Sequence, residues 1–251
     1  MTASGKQAIA LIPARAGSKR VENKNIYRLN GHPLIAYTIS AAIDSGIFEK
    51  IFVSTESAEY AEISKHYGAD VEFLRPKEYA TDESPDIEWV EFSLRELSER
   101  GQNFDYFSIL RPTSPLRTSS TIQRAFGEFL SDESVDSLRA VELCTQHPGK
   151  MWRIVDNRLV PVMARQDSGV DWFSSPTQTL PEIWVQNASL EFAHVSCVLN
   201  ERSITGKAIL PFKTKFPEGL DINRPEDIAR VEGLVSQSAE SLPRIKQRPF
   251  D

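Results

Sequence analysis

Ala8-Ile9-Ala10-Leu11-Ile12, running straight into Pro13-Ala14-Arg15-Ala16-Gly17-Ser18-Lys19-Arg20 and then Asn23-Lys24-Asn25, is the stretch on which the reading of this 251-residue chain turns. A short continuous apolar run is the pattern of a strand buried on both faces, as in a parallel sheet covered by helices. The run ends in a turn of small residues carrying four cations, Arg15, Lys19, Arg20 and Lys24, within ten positions. Ligands of open α/β sheets bind beyond the carboxyl ends of the strands, so this turn stands where a substrate would lie. Gly17 and Ser18 let backbone N–H groups approach phosphate oxygens, Arg15 can fork two oxygens, and the lysines act as point charges. The segment is not a P-loop, because the order of its glycine and lysine is wrong for that motif. A solvated basic turn is the plain alternative to triphosphate binding; the position after the first strand favours the ligand.

Working outward, strand and helix signals alternate. Pro33 to Ser45 reads as a helix closed by Gly46, Ile51-Phe52-Val53 as a buried strand, and Ser57 to Tyr67 as a helix capped by Ser57 and stopped by Gly68. Val71 to Leu74 reads as a third strand, and Ser84 as the cap of a helix with Ile87, Val90, Leu94 and Leu97 on one face. Phe104 to Leu110 is a fourth strand, and Ile122, Ala125, Phe126, Phe129 and Leu130 then repeat at helical spacing. Core-like strands return near Val195 to Leu199 and Ala208 to Phe212. A last helix begins near Pro225 with Ile228, Val231, Leu234 and Val235 facing inward. Such alternation predicts an α/β fold with a mostly parallel sheet.

The pattern breaks between Leu143 and Asn187, a stretch with four prolines and three of the four tryptophans. Trp152, Trp172 and Trp184 are costly to expose, so residues 143–190 read as a protruding arm that packs on a partner chain. Residues 237–251 are polar and basic with little periodicity, and a loosely held tail is expected there.

A net charge of −6 argues against bulk binding to nucleic acid or anionic membrane while leaving room for a locally basic pocket. No run approaches the roughly 20 apolar residues of a membrane span. Cys144 and Cys197 lack metal-ligand spacing and disulfide density, and a cytoplasmic setting is expected.

Ile12 to Lys19 with Lys24-Asn25-Ile26 closely resembles the signature of the acylneuraminate cytidylyltransferases, the CMP-sialic acid synthetases and relatives acting on legionaminic, pseudaminic and octulosonic acids. Further blocks match in order: Asn30 to Thr38, Val53-Ser54-Thr55, Leu74-Arg75-Pro76, Ala80-Thr81-Asp82, Pro112 to Arg117 and Asp221-Ile222-Asn223. The likeness is strong to about Arg117 and weak from Leu143 to Asn200. It implies one Rossmann-like, three-layer nucleotidyltransferase domain over 1–251 with an inserted dimerisation arm, acting as a homodimer with CTP and Mg²⁺ on an acidic sugar. Carried over by position, Pro13, Ala14, Arg15, Gly17, Ser18, Lys19, Lys24 and Asn25 surround the nucleotide, Arg75 and Ser84 lie beside the cytidine, and Asp221 binds metal. Arg15, Lys24 and Asp221 are the catalytic candidates, since attack on an α-phosphate needs its charge and that of the departing pyrophosphate stabilised.

Departures fall on the acceptor side. The metal pair of acids becomes Asp221 and Asn223, where Asn223 either offers a carbonyl oxygen to the metal or caps the next helix. The glutamine of the sialic acid enzymes before Pro-Thr-Ser-Pro-Leu-Arg is Arg111, and their Asn-Gly-Ala-Ile-Tyr is Asn187-Ala188-Ser189-Leu190-Glu191. Their acceptor-gripping arginine before Leu-Pro is missing from the run holding Gln178, so Arg111, Lys150 and Gln178 are the acceptor candidates. Arg111 also keeps open a sugar 1-phosphate, phosphonate or other small anion as acceptor. A weakened, regulatory nucleotide binder is a further alternative raised by Asn223. His32, His66, His147 and His194 are scattered and read as structural or solvated.

Overall fold

The alternation inside the opening strand explains the layering. In a computed structural model, which describes residues 5, 7–18, 20–165, 169–237 and 242–250, β1 spans Ala8–Pro13 and is buried almost throughout. Successive side chains of a strand point to opposite faces. Ala8, Ala10 and Ile12 accordingly join one apolar cluster, and Ile9 and Leu11 join another. The first cluster packs α1 (Leu34–Ser45), α2 (Ala58–His66) and α4 (Ser119–Leu130); the second packs α3 (Asp86–Glu99) and α5 (Val195–Glu201). Three layers result, with the sheet in the middle. Leu11 is fully buried, and truncating such a residue to alanine costs about 2–5 kcal/mol.

The chain divides into two compact units, residues 1–140 with 187–251, and residues 141–186. Strands of the main sheet run in the order β10 (Ile209–Lys213), β6 (Ser137–Leu143), β9 (Trp184–His194), β5 (Tyr106–Ile109), β1, β4 (Lys50–Ser54). β1 is parallel to both β4 and β5, with Leu11 opposite Phe52 and Ile109, whereas β9 is antiparallel to β5. A small ladder of β2 (Arg28–Leu29) and β3 (His32–Pro33) precedes α1. Helix ends follow local chemistry: the Ser57 hydroxyl accepts from Tyr60 N at the start of α2, and Thr118 and Thr121 form a reciprocal capping box on α4. Gly46 ends α1 in the left-handed region at φ 64°.

Four expectations need correction. Residues 71–74 are not a strand. Asp70 bridges β4 through Val53 N (2.9 Å) and Ile51 O (2.8 Å), and the next tie to that edge is Arg75 N to Thr55 O (2.8 Å). Five residues thus advance where β4 advances two, and the ladder cannot continue. Val195 to Leu199 lies in helix α5; Val195 and Val198 are buried at helical spacing, and the strand is the preceding β9, disguised by Glu191 at its centre. Ser84 does not cap α3, because its hydroxyl donates to Glu78 O (2.7 Å) and pairs with Thr81 Oγ1 (2.7 Å), closing the loop before the helix. The tail is docked. Over residues 242–250, Arg244 O accepts from Ser40 Oγ (2.6 Å), Arg248 O bonds His66 Nε2 (2.8 Å), Phe250 N donates to Tyr67 Oη (3.1 Å), and Lys246 pairs with Asp44 (2.7 Å). Leu242, Ile245 and Phe250 pack against the core. Three apolar residues spaced irregularly bind a strap that periodicity does not reveal. Helix α6 (Pro225–Gln237) turns Val231 and Val235 into the same cluster.

The second unit holds a hairpin of β7 (Trp152–Val155) and β8 (Arg158–Pro161). Asp156 and Asn157 both take positive φ, 48° and 58°, as a two-residue hairpin turn requires. His147 accepts from Gly149 N (3.0 Å) through Nδ1, so its Nε2–H donates to Pro181 O (3.0 Å), and the ring is neutral and structural. Trp152 packs on Phe173 at 4.5 Å. Ile154 and Leu159 remain 76% and 61% exposed, and Trp152 and Trp184 over a third exposed.

Candidate active site at the carboxyl edge of the sheet

The cationic turn is held from below by neutral and acidic oxygens. Past Pro13, Ala14 N donates to Ser54 O (3.0 Å) and Ala16 N to Glu56 Oε1 (2.8 Å), tying both ends of the bend to the segment after β4. Asn25 is buried, and its amide donates to Arg15 O (3.0 Å) across the turn. Asn23 takes φ 50° and is bonded by Tyr60 Oη (3.2 Å), which launches a 3-10 turn over Lys24–Ile26. A Cβ at Gly17 would meet open space within the chain, and its φ is not left-handed, so this glycine keeps the bend uncovered. Lys19 lies outside the described residues.

A cleft of about 300 Å³ opens above this turn, within the larger unit. The nucleotide candidates Pro13, Arg15, Ser18, Lys24 and Asn25 line it; Ala14 is fully buried beneath. Arg75 and Ser84 line the same cleft, as do Asp221 and Asn223 from the loop before α6 and Arg111 from the end of β5. Lys150 and Gln178 lie in the other unit, where Lys150 Nζ donates to Ser175 O (2.7 Å) and Gln178 is exposed. Five cations, Arg15, Arg20, Lys24, Arg75 and Arg111, face three carboxylates, Asp82, Asp86 and Asp221, so the cleft is positive inside an acidic chain.

Each charge has a defined setting. Arg75 is 5% exposed, donates to Ser54 O (2.7 Å) and Ser54 Oγ (3.0 Å), and lies 4.8 Å from the centre of the Trp89 ring; burial lowers its pKa to about 10. Lys24 Nζ donates to Ile222 O (2.8 Å) and reaches Asn223 Oδ1 (3.4 Å). Burial lowers the Lys24 pKa, Asp221 pulls the other way, and neighbouring Arg20 and Arg15 add to the lowering. Asn223 ties Asp221 Oδ2 through its own amide while its carbonyl also accepts from Arg20 (3.3 Å). Asp221 Oδ1 is buried without a hydrogen-bond partner. The Asn223 side chain is engaged with Asp221, Arg20 and Lys24, and Asp227 in the first turn of α6 bonds back to the preceding loop, its Oδ2 accepting from Asn223 N and Arg224 N at 2.8 Å each.

Sequence reasoning missed the acids opposite the cations. Asp82 pairs with Arg15 at 2.6 Å, each about one-third exposed. Asp86 opens α3, contacts Arg111 and accepts from Trp89 Nε1 at 2.8 Å. Glu191 pairs with Arg111 at 3.0 Å and with Arg139 at 2.9 Å. Asp82 sits inside a quoted block, but nothing local marks its partner 67 positions away.

A three-layer sheet whose carboxyl edge gathers guanidinium and ammonium groups over one cleft, with an unpartnered carboxylate oxygen among them, defines a nucleotide-handling α/β transferase. The chain belongs to the family described as Cytidylyltransferase, whose model matches residues 9–247. It is 34% identical over 239 residues to the CMP-N,N'-diacetyllegionaminic acid synthase of Legionella pneumophila, covering 93% of this chain and 98% of that protein. To the N-acylneuraminate cytidylyltransferase of Streptococcus agalactiae it is 31% identical over 227 residues, 90% of this chain but 52% of the longer relative. Among solved structures, a CMP:2-keto-3-deoxy-manno-octonic acid synthetase complexed with CTP matches at TM-score 0.66 and 13% identity, over 92% of this chain and 99% of that one. At that identity the likeness speaks for the fold alone.

Proposed function

We propose that this chain transfers CMP from CTP to a hydroxyl of an acidic sugar, a sialic- or legionaminic-like keto acid, and releases pyrophosphate. One observation carries the reading: Arg15, Lys24 and Arg75 converge with Asp221 on a single cleft in a member of the cytidylyltransferase family. The names of the relatives, acting on legionaminic and acylneuraminic acids, support the acceptor class.

In this reading Arg15 leaves Asp82 for phosphate oxygens, and Lys24, already held by two neutral oxygens, neutralises the oxygens of the phosphate under attack and of the departing pyrophosphate. Arg75 and Trp89 form the wall beside the base. Mg²⁺ fits the donor set in a restricted way. The unpartnered Asp221 Oδ1 offers one carboxylate oxygen, and the Asn223 carbonyl is already engaged by Lys24 and Arg20, so phosphate and water oxygens complete the shell. When bound, the metal polarises phosphate oxygens as a Lewis acid. Asn223 acts here by orienting Asp221.

The sugar 1-phosphate alternative draws on the charge of Arg111, which Glu191 offsets in part from inside the sheet, and this favours the less charged acid. The exposed apolar side chains of the second unit, Ile154 and Leu159 foremost, support a homodimer assembled through this arm. No described helix is long and apolar enough to cross a membrane; we place the reaction in the cytoplasm on the ground that CTP is made there.

The test is a matrix of each nucleoside triphosphate with Mg²⁺ and N-acetylneuraminic, legionaminic and octulosonic acids, followed by pyrophosphate release. CTP with one of the acids gives turnover. Failure of every acid, or a nucleotide seated away from the turn after β1, overturns the reading.

A further inference from the structure

Two side chains at which the chain departs from the sialic acid pattern on the acceptor side, Arg111 and Glu191, are bonded to each other. Their positions in the sheet explain it. Glu191 on β9 lies opposite Ile109 on β5, and Arg111 follows two residues later, one pleat along the same face. Arg111 Nη1 donates to Glu191 Oε1 at 3.0 Å, and Arg139 Nη2 lies 2.9 Å from Glu191 Oε2. The Glu191 side chain is 9% exposed and does not line the cleft, whereas Arg111 and Asp86 do, at 24% and 35% exposure. The backbone of Arg111 is fixed as well, since its carbonyl accepts from both terminal nitrogens of the buried Arg117 at 3.3 Å. Burial draws the Arg111 guanidinium down, but Asp86 and Glu191 outweigh it and its pKa stands above the ordinary arginine value. Arg111 is therefore a permanent cation, clamped from inside the sheet and covered on the cleft side by one half-buried carboxylate on a different element.

We propose that Arg111 is the acceptor-selecting cation, that Glu191 backed by Arg139 is its positioning residue, and that the Asp86 carboxylate holds the place an acceptor carboxylate takes. The proposal rests on the acidic-sugar reading above. With Asp86 displaced, the Arg111 guanidinium keeps its bond to Glu191 on the inner side and turns the edge that held one carboxylate to another, that of the acceptor. Guanidinium and carboxylate are also the pair best suited to bidentate exchange. Trp89 supplies a reporter, because its indole N–H is bonded to Asp86 Oδ1 and must respond when Asp86 leaves Arg111.

The experiment uses the full-length protein with CTP and the acid that gives turnover. Arg111→Gln raises the acceptor KM roughly 10- to 100-fold, the range for losing a charge-assisted hydrogen bond, with the KM for CTP within about twofold. Glu191→Gln raises the acceptor KM about tenfold, again without moving CTP, and Glu191→Asp recovers part of the loss. Asp86→Asn lowers the acceptor KM or leaves it unchanged. In ¹⁵N-tryptophan-labelled protein with CMP, the Trp89 indole signal, assigned with Trp89→Phe, shifts on addition of the acid and stays still in Arg111→Gln. An acceptor KM indifferent to Arg111→Gln, an Asp86→Asn variant as impaired as Arg111→Gln, or an unmoved indole in the wild-type protein overturns the proposal. Should Glu191→Gln fail to fold, Arg111→Gln still decides, since it leaves Glu191 paired with Arg139. Loss of pyrophosphate release with every acid in the wild-type protein would sink the functional reading instead. The indole response to N-acetylneuraminic acid would then judge Arg111 on its own.

Discussion

Replacing Lys24 by methionine separates the cost of holding a cation from its use. Its ammonium sits half-buried, bonded to Ile222 O at 2.8 Å and near Asn223 Oδ1 at 3.4 Å, and burial lowers its pKa. A lysine whose folded pKa is lowered binds its proton more weakly folded than unfolded, so the charge opposes folding at neutral pH, and the penalty fades as pH rises through the lowered value. Methionine keeps the length of the chain and removes that penalty. It also forfeits a hydrogen bond worth about 1 kcal/mol, so net stability changes by no more than about 1 kcal/mol in either direction. Any stability gain over wild type is largest at neutral pH and shrinks in alkali. Catalysis has no such offset: removing a donor aimed at developing negative charge costs about 10²- to 10³-fold in kcat. Thermal melts at pH 7 and pH 10 beside pyrophosphate release under saturating CTP read both quantities. Wild-type turnover in Lys24→Met would take the lysine out of the chemistry. A loss of several kcal/mol would mean that its contacts with Ile222 and Asn223 fasten the loop before α6 instead of awaiting a ligand.

Removing residues 242–251 strips the described strap of Leu242, Ile245 and Phe250 and its bonds to Ser40, His66 and Tyr67. A loss of about 3 kcal/mol or more is expected, lowering Tm by roughly 6–12 °C in calorimetry. Asp136 accepts from Lys207 N (2.6 Å) and Ala208 N (2.8 Å), and these backbone bonds hold its carboxyl below the usual 3.8. The stability it contributes is complete above that usual value and disappears as pH falls through the depressed one, so the Tm gap between wild type and Asp136→Asn closes in acid melts. Asn223→Asp adds a second carboxylate beside Asp221, and with CTP present it tightens Mn²⁺ binding, read by water-proton relaxation, by about tenfold. An unchanged affinity would mean that Lys24 and Arg20 cancel the new charge.

What was legible in the sequence is what the chain writes in adjacent residues. β1, the basic turn, α1, α2, α4 and α6 announce themselves through apolar period, caps and glycine stops, and the turn's chemistry is contained in a dozen positions. The misses share a different cause. β9 carries Glu191 at its centre, an acid that sequence reasoning excludes from a buried strand but that Arg111 and Arg139 neutralise from positions 80 and 52 residues away. Residues 71–74 have strand-like side chains but no continuing edge to pair with, a fact held by the sheet and not by the segment. The tail reads as polar because its carbonyls and N–H groups, which do the binding, are invisible in residue types.

The same distinction governs the charge of the cleft. Lys24 and Arg75, which line it, are held by neutral oxygens, those of Ile222, Asn223 and Ser54, which fix a cation without cancelling its field, and the fully buried Arg117, outside the lining, is held in the same way by Ser189 and Thr38. The cost is visible in their lowered pKa values, about 10 for Arg75 and about 9 for Arg117, both due first to burial. Arg75 and Arg117 still carry full charge at neutral pH, and in a low-dielectric setting an uncancelled charge acts far more strongly than in water. Arg15 and Arg111, by contrast, are covered by the carboxylates Asp82 and Asp86 from the loop before α3 and its first residue. A polyanion entering the cleft must displace those acids, whereas it meets Lys24 and Arg75 already exposed to it electrostatically. In the proposed reaction the first group sets a standing attraction for the triphosphate, while Arg15 and Arg111 each release an acid only to a correctly placed anion, a phosphate at Arg15 and the acceptor carboxylate at Arg111.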